Sequence, residues 1–287
     1  MDQDRQKDHW DVVVGGYKPW WNLDFGELWN FRDLLMLLVR RDLLAVYKQT
    51  VLGPLWQVLQ PLLTSLMFAI IFGLMARMSQ EGVPPMLFYL SAVVPWTFFA
   101  NIISRTSQTL IWNSTLMSKV YFPRLVAPIA TTLSTMVSFL IQLASFIVIA
   151  FIYRLSGSYA WTLDSTVVLL PILILLMMVL AFGTGILVAA LTTKFRDLGF
   201  LLTFGIQLLM YMSPVIFPLS MVPEGSKLRW VIEINPMTSI IEGFRAILLG
   251  SPMDWSLLIY TTVFAVVSLL VGLAVFQRVQ RSFADVI

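Results

Sequence analysis

Six stretches of this 287-residue chain contain no Asp, Glu, Lys or Arg: 49–76, 82–104, 125–153, 165–193, 198–223 and 255–277. Each reaches or exceeds the ~20 residues that an α-helix needs to cross a bilayer's hydrocarbon. A charge at the centre of such a helix costs about 2.5–3.5 kcal/mol on insertion scales, so six empty windows in one chain are not a coincidence of composition. The whole chain is 58% hydrophobic and 12% charged, about half the charge of a soluble domain. The sequence therefore predicts an all-α, multi-pass membrane protein with six transmembrane helices.

The windows are preceded by a different kind of segment. Residues 1–23 are polar and are expected to form a cytoplasmic tail, and Met1–Asp11 lacks the apolar region of a cleavable signal peptide. Asp24 with Glu27 resembles a capping box, which predicts a helix over 24–48. At 100° per residue, Glu27, Asn30, Asp33, Arg40, Arg41 and Lys48 share one arc, with Leu28, Trp29, Phe31, Leu35, Leu38 and Val39 opposite. This is the pattern of an amphipathic helix lying in the membrane interface. Gly53-Pro54 then ends one helix and starts the next. The remaining 49–281 is read as one transmembrane domain.

Orientation follows from the basic residues. With the amino terminus inside, only Arg77, Arg154, Lys227, Arg229 and Arg245, five of nineteen, fall outside. The positive-inside rule thus puts both termini in the cytoplasm. The fifth window is interrupted by Ser213-Pro214, and the apolar pieces from Trp230 to Gly250 are too broken to span. They are expected to be two re-entrant helices at the outer face between spans five and six, since irregular backbone at membrane depth must line a cavity or be buried in protein. The uncharged but polar stretch 106–118 is expected to be a separate helix facing the loop.

Chemistry-bearing motifs are few. There is no Gly-x-x-x-x-Gly-Lys-Ser/Thr phosphate loop and no Cys, and the one His is His9 in the tail. Nothing in the windows offers a carboxylate pair for acid/base catalysis or the ionisable groups of a proton-coupled carrier. A secondary transporter stays an alternative, disfavoured on that ground. No catalytic residue, metal or cofactor of the chain's own is expected, nor a nucleic-acid partner, and the absence of Cys leaves the redox compartment undetermined.

Three constellations stand out. Gln57, Gln60, Thr64, Phe68 and Phe72 share one face of the first window, and Thr203, Gln207 and Tyr211 one face of the fifth. Polar groups beside aromatic rings suit a translocation path for sugars; hydrogen bonding across a dry helix interface is the competing reading. Arg40, Arg41 and Lys48 suit capture of a lipid pyrophosphate headgroup or plain anchoring to anionic lipid. The loop Asn113-Ser-Thr-Leu116-Met-Ser-Lys119-Val-Tyr121-Phe122-Pro123-Arg124 suits docking of a short helix into a partner's groove, or a helix lying on headgroups.

Taken together, Arg41-Asp42 with Tyr47-Lys48, Leu52-Gly53-Pro54-Leu55-Trp56, the Asn113–Arg124 loop with Pro128, Arg196-Asp197, Met212-Ser213-Pro214-Val215 and Asn235-Pro236 resemble an ABC-2 type permease of the polysaccharide exporters for O-antigen, teichoic acid and capsule. The likeness runs over about 26–278; Met117-Ser118 and Leu125 depart from the usual residues. It implies a homodimer joined to two ABC ATPase subunits, which bind the ATP and Mg. It further implies that the 113–124 loop is the ATPase-coupling helix and that the cargo is a lipid-linked polysaccharide, O-antigen above all. Teichoic acid, capsule or a small hydrophobic compound remain alternative substrates.

Overall fold

The computed structural model describes residues 25–48, 52–162, 164–194 and 197–282, and among them every regular element is helical. Two helices come first, α1 (Phe25–Asn30) and α2 (Arg32–Tyr47), with Phe31 at the joint. The capping-box residue Asp24 lies outside the described residues. A span follows as α3 (Leu55–Phe68), whose last two turns widen into a π-helix over Ala69–Met75. Next are α4 (Pro85–Trp112), α5 (Ser114–Lys119), α6 (Val126–Leu155) and α7 (Leu170–Lys194), the last entered through a tight 3₁₀ turn over Ser165–Leu169. The chain closes with α8 (Leu198–Tyr211), α9 (Lys227–Glu233), α10 (Pro236–Leu249) and α11 (Ser256–Ser282).

Among the described residues, five helices are long and apolar enough to cross a membrane: Leu55–Met75, Pro85–Trp112, Val126–Leu155, Ser165–Thr192 and Ser256–Val279. The fifth window differs from expectation, because it holds only the 14-residue α8 and, after an irregular stretch, one 3₁₀ turn over Leu219–Met221. At 1.5 Å per residue α8 covers about 21 Å, short of the ~30 Å hydrocarbon. It stops where Ser213 turns its Oγ back onto the Leu209 carbonyl at 2.6 Å and Pro214 contributes no N–H.

The stretch 106–118 also differs. Its first half is not a loop-facing helix but the end of α4, and Thr106, Ser107, Thr109 and Leu110 are buried. Polarity did not force Ser107 and Thr109 out because their hydroxyls are satisfied locally: Ser107 Oγ donates to the Ser104 carbonyl and Thr109 Oγ1 to that of Arg105, both at 2.8 Å, while Thr106 Oγ1 has no partner among the described residues. Thr192 of α7 adds a 2.8 Å bond to the Ser107 carbonyl. Only Ser114–Lys119 stands apart as α5.

The core forms around α4, whose best apolar window is 78% buried against 22% for α3 and α11. Phe98 of α4 stacks on Phe139 of α6 at 4.5 Å between ring centres, and Phe139 meets Phe244 of α10 edge-on at 6.2 Å. On the far side α7 and α11 touch backbone to backbone: a Cβ at Gly272 would lie 2.4 Å from the Gly183 carbonyl oxygen. Small residues at such a crossing allow close van der Waals packing between helices in lipid.

The pieces from Trp230 to Gly250 fold as two short helices with clear start and stop signals. Ser226 Oγ caps α9 by accepting from Arg229 N. Asn235 Oδ1 caps α10 by accepting from Met237 N, with Pro236 in the first turn, where its missing N–H costs nothing. Gly250 ends α10 in a left-handed conformation (φ 70°). Twelve of the fourteen α10 residues are buried against α4, α7 and α11.

Candidate functional site

Two places at opposite ends of α4 gather the polar side chains. At its C-terminal end, α2 lies across the start of α6. Leu38 and Val39 of α2 are buried against Phe122, Val126 and Ala130, with Leu35, Leu116 and Met117 closing the edges. The inward face of α2 is thus a protein contact, while Trp29, Met36 and Leu37 are each more than 60% exposed.

Asn113 is the corner residue between α4 and α5. It is buried, its Nδ2 donates to the Thr109 carbonyl at 2.9 Å, and its own carbonyl accepts from Leu116 and Met117 N. Its Oδ1 accepts from Arg41 Nη1 of α2 at 2.9 Å, while Arg41 Nη2 pairs with Asp42 at 2.8 Å. All three basic residues read as a headgroup cluster, Arg40, Arg41 and Lys48, are exposed, and Arg41 in addition holds the two helical segments together.

The coupling candidates divide likewise. Lys119 and Tyr121 face out, Tyr121 at 68% exposure; Phe122 is 5% exposed inside its own chain; Leu116, Pro123 and Arg124 are half-buried. Burial pulls the Arg124 guanidinium below its ordinary pKa.

The path stripes are split too. Gln60 is exposed, and Thr64 Oγ1 bonds the Gln60 carbonyl at 3.0 Å. Gln57 is half-buried, with Oε1 shielded and unpaired. Phe68 and Phe72 pack edge-on to each other at 5.7 Å, and Phe68 leans on Tyr89 of α4 at 6.0 Å. On α8, Thr203, Gln207 and Tyr211 are all exposed beside Phe200, Leu201 and Phe204; Ile206 is its one buried residue.

The second place was not singled out by sequence. Near the N-terminal end of α4, Glu242 and Arg245 of α10 form a pair at 2.9 Å, with the Arg245 side chain 1% exposed. The guanidinium lies 3.9 Å from the centre of the Phe88 ring and donates to the carbonyls of Val215 (3.1 Å) and Phe217 (3.4 Å). Glu242 in turn accepts from Leu219 N at 3.4 Å. The pair thus fastens the irregular segment after α8. Asn235 Nδ2 adds a 2.8 Å bond to Ser213 Oγ, joining the Ser213-Pro214 and Asn235-Pro236 fragments. A cavity of about 650 Å³ opens here. Ser256 N donates to Asp254 on its rim and holds that carboxyl below the usual range. The available signal was the spacing: two opposite charges three residues apart in an otherwise apolar run sit on one helix face.

A membrane helix bundle with a docked N-terminal helix and a short helix at the α4–α6 corner is the architecture of a multi-pass membrane protein. Residues 33–249 match the ABC-2 type transporter family, and the chain belongs to it. The O-antigen export system permease protein RfbA of Klebsiella pneumoniae is 28% identical over 255 residues, covering 89% of this chain and 95% of the relative. The protein of the same name from Myxococcus xanthus is 27% identical over 261 residues, 90% and 97% of the two chains. The polysialic acid transport protein KpsM of Escherichia coli is 26% identical over 230 residues, 79% and 85%.

Proposed function

We propose that this chain is the permease subunit of an ATP-driven exporter that moves a lipid-linked polysaccharide, O-antigen above all, from the cytoplasmic to the outer side of the inner membrane. The observation that carries the reading is the near end-to-end match to two O-antigen export permeases, and the α2–α5 corner supports it. Two such chains form a homodimer and two ABC ATPase subunits bind beneath it. Both termini lie in the cytoplasm, α8 with the segment after it makes the sixth crossing, and α9 and α10 are re-entrant from the outer face.

In this arrangement Tyr121 and Lys119 are the projecting groups of the coupling corner, and Phe122 fixes their base. A push on α5 reaches α2 through the Arg41–Asn113 bond and α6 through the Phe122 cluster, so the corner moves as a unit. The polysaccharide path runs between the two copies, along the face of the first span that carries Gln57, Gln60, Thr64, Phe68 and Phe72 and the exposed face of α8 that carries Thr203, Gln207 and Tyr211. Arg40 and Lys48 face the phosphates of the carrier or of the surrounding lipid.

The test is a strain lacking this chain. Surface polysaccharide should fall, and lipid-linked glycan should accumulate inside and clear on complementation. Unchanged surface glycan with no retained intermediate refutes the reading.

A further inference from the structure

Arg245 is a buried cation whose charge is already matched by Glu242, yet its Nε–H has no hydrogen-bond partner among the described residues. A buried donor left unpaired costs about 1–3 kcal/mol, and this one belongs to a side chain that forms the wall of an open cavity. The cavity's size of about 650 Å³ falls within the roughly 300–1,000 Å³ of small-molecule sites. Its polar wall includes Gln80, Ser220 and Ser251 with three carboxylates (Glu224, Glu242, Asp254) and two arginines, and its apolar wall includes Leu219, Val222 and Leu257. Ser251 Oγ donates to Gln80 Oε1 at 2.6 Å, bridging the loop after the first span to the turn after α10.

We propose that this cavity is a binding site for a neutral, hydroxyl-rich sugar unit, resting on the reading of the chain as a polysaccharide exporter. The polar groups on its wall, an amide, two hydroxyls and three carboxylates, both donate and accept, which matches the pattern of vicinal sugar hydroxyls. The aliphatic side opposite them meets the C–H face of a pyranose. An anionic sugar is disfavoured because both arginines lining the cavity are already paired, Arg245 with Glu242 and Arg229 with Glu233 at 2.7 Å. The site lies beside the segment that Arg245 fastens after α8, so a glycan leaving the α8 face meets it next.

The experiment uses the full chain in lipid nanodiscs, where both faces are open to solvent. Because the chain has no Cys, Ser220→Cys places a single thiol on the cavity wall, and Ser158→Cys places one on an exposed loop as a reference. Maleimide labelling is followed with maltotriose as the neutral probe and sialyllactose as the anionic one. At a probe concentration twice its dissociation constant two-thirds of the sites are filled, so labelling of Ser220→Cys should slow roughly threefold. The reference thiol should be unaffected. Gln80→Ala with Ser251→Ala, which leaves the Glu242–Arg245 pair intact, should abolish the protection, as should Glu242→Gln. No protection, protection by sialyllactose alone, or equal slowing at both thiols overturns the proposal. Neither ATP nor a partner enters this assay, so its failure leaves the export reading standing, and failure of the strain test leaves this result standing.

Discussion

Replacing Gly272 by Ala adds one methyl group where α7 and α11 already touch. The new Cβ would lie 2.4 Å from the Gly183 carbonyl oxygen and 2.9 Å from Ile186 Cγ1, against at least 3.4 Å for ordinary contact. The nearest obstacle is backbone, which no rotamer change can relieve, so the helices must part by about 1 Å at the crossing. A gap of that size forfeits up to about half of each atom pair's attraction of 0.1–0.2 kcal/mol. Summed along the seam, the loss is expected to fall in the roughly 1–3 kcal/mol typical of overpacked cores. In lipid no hydrophobic term between helices replaces it. Reversible unfolding of the purified chain by SDS titration reads this directly. Gly205→Ala in α8 is the control, since nothing lies within 4 Å of its Cβ, and it should match the parent or exceed it. If Gly272→Ala unfolds within about 0.5 kcal/mol of the parent, well below the cost of overpacking, the tight crossing is wrong.

Phe122→Ala should cost about 3–5 kcal/mol, as for an aromatic removed from a packed core, and loosen α2; limited proteolysis within α2 should report it. Tyr121→Ala should leave stability unchanged yet weaken co-purification of the ATPase, as expected of an exposed aromatic interface anchor; equal behaviour of the two variants would refute the division between them. A double-mutant cycle on Arg41→Ala and Asn113→Ala should give a coupling of about 1 kcal/mol, since the bond is charged but half-exposed, and purely additive losses would remove it. A lone thiol at Lys119→Cys should cross-link to one engineered on the ATPase groove; labelling by an impermeant reagent from outside intact cells would place the corner on the wrong face.

The helices were legible because a charge in lipid is costly and a charge-free run is therefore conspicuous. Where polar residues are the only clue, the inference weakens. Thr106, Ser107 and Thr109 read as solvent-facing, yet each lies buried in α4, with Ser107 and Thr109 bonded to the carbonyl three or four residues back. The 113–124 loop could be located by its residue types, but not the direction of each side chain, so Tyr121 and Phe122 looked alike until one proved exposed and the other enclosed. Glu242 and Arg245 were read as interruptions of apolar runs. Burial of such a pair depends on carbonyls at Val215 and Phe217, some thirty residues away, and no local pattern announces that.

One helix reaches both ends of this arrangement. Pro95 sits inside α4, and without its N–H the helix has a natural pivot there. The arm from Pro95 to Trp112 is about 26 Å long and the arm back to Pro85 about 15 Å. Rocked about that point as a rigid rod, α4 has unequal arms: a 3 Å swing at Asn113 would arrive near Phe88 as about 1.2 Å, reversed in direction. Force is geared up as travel is geared down, by a ratio that the position of one proline sets.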